Sequence, residues 1–417
     1  MTDDRSTNLM LISAQKAHKA FRELGMKTGV ARSQGVKVMA RAMENAFDEI
    51  LEANTLDLEM SREMAVPDLI LKWLKLTPER LEIAVDILKQ IADSSDPIER
   101  ITNAFYQLNP SRTYCQRMPL GVIALVYEAF PELGAITAGF CLKTGNSLIL
   151  HGSGFSSHSN EVITNILKTA LEDSDLPEGC VEILSSDRGT SIEELVTQDQ
   201  YINLVIPYGR PSLISQVSQL ATAPVLKSAM GNCYLYWSPS ADLDLVRWVI
   251  LDSHGSIPDP INAIEKVLIS SSQTTSFLLR LFNSLKDKGF ELRGDLALST
   301  EFSEHLNPVM NDLEWSTPYL DKIIAFKVVD DLEEAITWIN HYSSGHADCL
   351  VTESYKESRQ FAKEIDSALI YINSSPRFSR NPKQGESVFL GISNQKGHRR
   401  GLIGLDTLTT TKQVVQG

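Results

Sequence analysis

At 417 residues the chain is longer than the ~100 to 200 residues of one ordinary domain, so at least two packed cores are expected and a miniature scaffold is excluded. With 39 Lys and Arg against 53 Asp and Glu the net charge is −14, which repels phosphate backbones and anionic surfaces and argues against nucleic acid as a partner. The 43% hydrophobic and 22% charged residues are those of an ordinary globular protein, and the five scattered cysteines form no C-x-x-C pair, which fits a reducing, cytoplasmic setting. The acidic start, Met1-Thr2-Asp3-Asp4-Arg5, lacks the pattern of an export signal. The most apolar stretch, Gly121 to Cys141, is broken by Glu128, Pro131 and Glu132, so no membrane insertion is expected.

The first hundred residues read as helices. Val36, Met39, Ala40, Met43, Phe47, Ile50 and Leu51 recur at three- and four-residue steps and predict one amphipathic helix. Thr77-Pro78-Glu79 starts another, with Thr as the cap and Pro in the first turn, where no amide is lost. From Gly121 the pattern changes to short β-rich runs at Val122 to Val126, Ser147 to Leu150, Val181 to Leu184 and Asn203 to Ile206. The helical stretches between them are long enough for right-handed crossovers, which predicts a doubly wound parallel sheet. A second βα series begins near Asp242 and runs to Ile372 through strands at Lys266 to Ile269, Ile323 to Val328, Asp348 to Thr352 and Ala368 to Ile372. Two α/β domains in series are expected.

Residue types alone give weak chemical signals. Gly152-Ser153-Gly154 lies between a strand and a helix, where phosphate can rest on helix N-terminal amides, and a plain tight turn is the competing reading. His151 and His158 flank it without nearby carboxylates, so they read as solvent-facing side chains rather than metal ligands. Asp252-Ser253-His254 has the residue types of a hydrolase triad but not a workable geometry, and reads as a helix end. Lys396, His398, Arg399 and Arg400 read as a surface or subunit patch, and Cys233 as a small packed hydrophobe.

Longer blocks carry a family likeness. Arg117-Met118-Pro119-Leu120-Gly121-Val122-Ile123, Leu142-Lys143-Thr144-Gly145-Asn146-Ser147, Asn262-Ala263-Ile264-Glu265, Ser344-Gly345-His346, Asn373-Ser374-Ser375-Pro376-Arg377-Phe378 and Gly391-Ile392-Ser393 resemble gamma-glutamyl phosphate reductase, the glutamate-5-semialdehyde dehydrogenase of proline biosynthesis. The resemblance spans nearly the whole chain and implies the aldehyde dehydrogenase fold, with two doubly wound α/β domains and a small β oligomerisation element. It places a cofactor-binding-type domain at 1–100 and 119–237, a catalytic-type domain at 238–378, the β element at 101–118 and 396–417, and a connecting loop at 379–395.

It also implies departures at the site. The family's attacking cysteine falls at Ile261, beside Asn262, and a hydrocarbon side chain has no lone pair with which to form a thioester. The oxyanion Asn becomes Glu132 and the preceding Arg becomes Phe130. On the cofactor side the implied positions are His151, Gly152, Ser153, Phe155, Gly209, Arg210 (followed by Pro211) and Phe389. Substrate-side candidates are Phe130, Ser228, Tyr234, Asn373 and Arg377. The expectation is therefore a homologue without intact catalytic residues, with no metal and no assured cofactor, reused for binding, assembly or regulation as a homodimer or larger homo-oligomer, with an unidentified protein partner left open. Two alternatives remain. One is a working NADPH-dependent enzyme with another nucleophile, such as Cys233. The other is a small-molecule binding module lined by Phe130, Phe155, Tyr208 and Tyr234.

Overall fold

The apolar stripe expected to form one helix forms two. The computed structural model describes every residue except 1–2, 107–111, 186–190, 257–259, 383–386, 396, 398 and 417. After α1 (Asp3–Leu24), α2 (Gly29–Asn45) and α3 (Phe47–Glu63) are separated at Ala46, whose φ of −113° and ψ of 19° leave the helical region. The break lets each half face its own neighbours. Val36, Met39, Ala40 and Met43 bury from α2, while α3 turns Asn54 and Asp57 inward. Asn54 Nδ2 donates to the carbonyl of Leu74 (2.9 Å), and its Oδ1 accepts from the amide of Leu76 (2.8 Å). These bonds hold the loop between α4 (Asp68–Leu74) and α5 (Pro78–Asp93). Thr77 caps α5 as expected, its Oγ1 accepting from the amide of Arg80.

The chain divides into two compact units, one of Met1–Ser228, Arg380–Gly391 and Leu402–Gly417, the other of Ala229–Ser379 and Ile392–Gly401. In the first, β1 (Ile101–Tyr106) and β2 (Arg112–Pro119) form an antiparallel pair. Four parallel strands follow, β3 (Val122–Tyr127), β4 (Ser147–Gly152), β5 (Val181–Ser185) and β6 (Leu204–Tyr208), in the order β5-β4-β3-β6. Their connections are α6 (Pro131–Lys143), α7 (Ser157–Glu172) and α8 (Ile192–Val196), and α9 (Pro211–Leu220) follows β6. Every residue of α6 is buried, so the helix is covered around its whole circumference, its Glu132 and Lys143 included. Its Gly139 permits close packing on α5: a Cβ there would stand 2.5 Å from Leu88 Cδ2.

The second unit opens with a strand that the residue pattern did not single out, β7 (Cys233–Trp237). It continues through α10 (Leu243–Ser253), β8 (Ile264–Ser270), α11 (Thr275–Lys286), β9 (Glu291–Gly294), α12 (Leu296–Glu301), β10 (Asn307–Pro308), α13 (Leu313–Ser316), β11 (Ile323–Val329), α14 (Leu332–Tyr342), β12 (Ala347–Val351), α15 (Tyr355–Glu364) and β13 (Leu369–Ile372). The seven strands form one parallel sheet in the order β10-β9-β11-β8-β7-β12-β13. One core, including Leu235, Val267, Phe282 and Phe326, covers one set of inward side chains, and a second gathers Tyr236, Leu268, Ile339 and Phe361. Beyond the short strands β14 (Gly391–Ser393) and β15 (Gly401–Ile403), β16 (Thr409–Gln416) pairs antiparallel with β2, so β1, β2 and β16 make a three-stranded sheet.

Asp57 tests this packing. Its Oδ1 accepts from the amide of His158 (3.0 Å), and its Oδ2 accepts from the amide (2.8 Å) and hydroxyl (2.6 Å) of Ser159, capping α7 from α3. Asp57→Ala strands those buried donors and is expected to lower unfolding stability by about 3 kcal/mol in urea titrations, with Asp57→Asn between it and the natural chain. An Ala variant as stable as the natural chain would show that the cap contributes nothing.

Candidate functional site

In the first unit the chain moves outward from β3 to β4 and β5 and then returns to add β6 on the other side of β3, so the direction of winding reverses between β3 and β6. The carboxyl ends of strands at such a reversal form the ligand crevice of open parallel sheets. Several residues implied for the cofactor side gather there around Glu128, which follows β3 and is nearly buried. Its amide donates to the carbonyl of Tyr208 at the end of β6 (3.1 Å), and its carbonyl accepts from Ser153 Oγ at the end of β4. Its carboxylate reaches the start of α9: Oε2 accepts from the amide of Arg210 (3.0 Å), while Oε1 accepts from Arg210 Nε (2.8 Å) and Nη2. The pairing raises the pKa of Arg210, chiefly through its hydrogen bond to Glu128.

The glycines here serve the protein's own packing. Gly209 has φ +153°, and a Cβ on it would stand 2.8 Å from Glu128 Cβ and 3.0 Å from Oε2. A Cβ on Gly152 would stand 2.1 Å from Asn160 Nδ2. His151, expected to face solvent, is buried in β4 because both faces of that strand are covered. His158 is partly exposed and has a carboxylate partner, with Nδ1 2.9 Å from Asp57 Oδ1. Phe155 is half-buried in the turn before α7. Phe389 lines a cavity of ≈ 880 Å³ with Asp93, Arg100, Leu402 and Leu405. An NADPH phosphate therefore fits poorly at the reversal, where a carboxylate already accepts the Arg210 amide and Pro211 offers none.

The substrate-side positions of this unit are also filled. Phe130 is buried at φ +153°, stacked between Trp73 (5.0 Å) and Tyr208 (5.3 Å, edge-on). Tyr208 in turn accepts from Arg380 Nη2. Ser228 donates to the carbonyl of Pro207. Glu132 is buried, and its Oε1 accepts from Arg80 Nε (3.2 Å) and Nη2, while Arg80 also donates to the carbonyls of Trp73 and Lys75. The carboxylate at the implied oxyanion position thus has its own cation.

In the second unit Ile261 is fully buried ahead of β8, and its carbonyl accepts from the amide of Gly231 (3.0 Å) and from His346 Nε2 (3.0 Å). Ser344 Oγ lies 2.7 Å from His346 Nδ1, so donation from Nε2 to Ile261 leaves Nδ1 to accept. Cys233 Sγ lies 3.3 Å from the same Nε2. That contact has the residue types of a thiol and base, but burial, helped by Asp348, pushes the Cys233 pKa well up, and a buried protonated thiol is a poor nucleophile. Asn262 Nδ2 donates to the carbonyl of Pro376 (2.7 Å), and its Oδ1 is buried without a partner among the described residues. Tyr234 is buried and donates to the carbonyl of Trp315 (2.6 Å). Asn373 bridges to both backbone groups of Thr352, and Arg377 Nη1 donates to Asp252 (3.3 Å). Of the basic patch, Lys396 and His398 lie outside the described residues; Arg400 pairs with Asp366.

Comparison with known proteins agrees with this architecture. The model of the aldehyde dehydrogenase family matches residues 8–286 and 322–414. Gamma-glutamyl phosphate reductase 2 of Synechocystis sp. is 54% identical over 416 residues, covering 100% of this chain and 99% of that protein. The gamma-glutamyl phosphate reductase of Gloeobacter violaceus is 39% identical, over 97% and 96% of the two chains. The crystal structure of the Thermotoga maritima gamma-glutamyl phosphate reductase superposes with a TM-score of 0.89 at 33% identity, over 98% of each chain.

Two experiments check these environments. Arg80→Met strands the Glu132 charge and should cost about 3 to 5 kcal/mol in unfolding stability, and adding Glu132→Leu should recover most of it; equal losses in the single and double variants would contradict the pairing. The second concerns Asp348, whose pKa burial raises from 3.8 to about 7 against its donors Ser367, Ser343 and the Tyr234 amide. Between those values the folded chain holds a proton that the unfolded chain has released, so this residue's contribution to stability falls as pH rises through the window. Buried His346, lowered from 6.5 to about 4, acts in the opposite sense by favouring the unfolded chain as pH falls. The comparison with Asp348→Asn isolates the first effect: the natural chain's melting temperature should fall relative to the variant's between about pH 4 and 7. A difference independent of pH would refute it.

Proposed function

Because this chain belongs to the aldehyde dehydrogenase family, among its gamma-glutamyl phosphate reductases, we propose that it is a reductase-type protein of proline biosynthesis in which the covalent route is closed and the fold serves binding, assembly or regulation. One observation carries this reading: the implied nucleophile position is Ile261, fully buried, with its carbonyl engaged by Gly231 and His346. A thioester needs a deprotonated sulfur within reach of the acyl carbon, and hydrocarbon supplies none. The environment of Glu132 supports the same reading, because the side chain at the implied oxyanion position is committed to Arg80 and donates nothing to a developing negative charge.

The relatives' names speak more directly for a second reading, a working enzyme that reduces L-glutamyl 5-phosphate. On that reading Cys233 is the candidate thiol, since it and the Ile261 carbonyl both meet His346 Nε2. Turnover would then require Cys233 to become exposed and lose its proton against the burial that raises its pKa. In both readings the protein resides in the cytoplasm and assembles as a homo-oligomer, for which the likeness of the β1-β2-β16 sheet to the family's oligomerisation element is the support. Among the described residues no helix is long and apolar enough to cross a membrane.

The deciding experiment is an assay of NADP-dependent oxidation of glutamate-5-semialdehyde in the presence of phosphate. The natural chain and Ile261→Cys should both stay at the level of a heat-killed control. Turnover by the natural chain that disappears in Cys233→Ser would establish the working enzyme.

A further inference from the structure

The mismatch between the implied dinucleotide and the residues at the winding reversal supports a more specific statement. We propose that Glu128 is an internal anion standing in the phosphate position of the crevice between β3 and β6, and that Arg210 holds it there. This inference deepens the closed-route reading at its cofactor end and rests on different atoms. In an open parallel sheet an anionic ligand is met at the reversal by backbone amides at the start of the following helix. Here the amide at the entry to α9 donates to Glu128 Oε2, and the guanidinium of the same residue closes on Oε1. The carboxylate thus receives the backbone donor and the cation that a phosphate would take.

Four neighbours, Tyr208, Ser153, Gly209 and Phe130, fix the plug. The Glu128 amide is bonded to the end of β6 and its carbonyl to Ser153 at the end of β4, so its backbone cannot swing away without breaking the join between three strands. Gly209 leaves room for the carboxylate, since any Cβ there would crowd both Cβ and Oε2 of Glu128. On the adjoining side Phe130 and Tyr208 are packed edge to face and exclude water from the base of the crevice. Arg210 is partly exposed, with its side chain 39% accessible, whereas that of Glu128 is 10% accessible, so an incoming anion would meet the cation first and the resident carboxylate behind it.

The test measures binding rather than turnover. Inorganic pyrophosphate and NADPH are titrated by calorimetry into the natural chain, Glu128→Gln and Arg210→Gly. Glu128→Gln keeps the shape of the side chain and removes its charge, so it carries the test even if Arg210→Gly proves poorly folded. The natural chain should give no saturable heat with either probe. Glu128→Gln should bind pyrophosphate at least about tenfold more tightly, the effect of removing one like charge from contact with the ligand, and the gain should weaken with added salt. Saturable binding to the natural chain at the variant's affinity would overturn the proposal, as would a Glu128→Gln protein that folds and binds neither probe. Binding of NADPH by the natural chain without turnover would defeat this inference alone and leave the closed covalent route standing.

Discussion

A carboxylate removed from water must be given donors, and this constraint shapes both units. Asp57, Glu128 and Glu132 in the first unit and Glu265 and Asp348 in the second are all buried. All but Asp57, which lies within α3, stand where the chain leaves or enters an element. Asp57 supplies the start of α7, and Glu128 joins the ends of β3, β4 and β6. Glu265 accepts from the amides of Tyr319 (2.6 Å) and Leu320 (2.7 Å), fixing the turn ahead of β11, where Leu320 takes a left-handed φ of +56°. Leaving such a charge unmet costs several kcal/mol, far more than an exposed ion pair returns, so these loops have few alternative conformations.

The same satisfaction of polar groups bears on chemistry. Catalysis by charge stabilisation needs donors and cations that are oriented yet unspent until the transition state forms. At the implied site of the first unit the polar groups are already paired with one another: Arg80 with Glu132, Arg210 with Glu128 and Arg380 with Tyr208. In the second unit His346 spends one nitrogen on the Ile261 carbonyl. On the proposed reading, groups already paired in this way are less available to a ligand.

Much of the fold was legible because its signals are local. The apolar runs of β3 to β6 and of the second series are what strands buried on both faces require, and Thr77-Pro78 announces its helix by cap chemistry alone. The stripe from Val36 to Leu51 misled because periodicity continues through the break at Ala46; only tertiary contacts, Asn54 and Asp57 reaching α7, reveal two helices. The segment between Asp287 and Asp321 was unassigned because its elements, β9, α12, β10 and α13, are only two to six residues long, too short to show a period. The candidate site was legible as a set of positions but not as an arrangement. Glu128 and Arg210 have opposite charges in sequence, yet only the placement of β6 beside β3 makes them partners. Arg80 is likewise visible as the residue after a helix cap and invisible as the cation of Glu132 until α5 packs on α6.

Strand β2 has its outer neighbour at once, in β1, but its other neighbour is β16, and the Arg117–Asp406 ion pair beside that seam joins residues 289 apart. During synthesis the β1-β2 pair must therefore wait, one edge unsatisfied, until β16 has been made. A chain truncated before Thr409 keeps both parallel sheets and exposes the open flank of β2, the kind of surface that recruits other strands. The three-stranded sheet thus ties the two ends of a long stretch of chain together, because the edge that β2 presents is covered only once β16 is present.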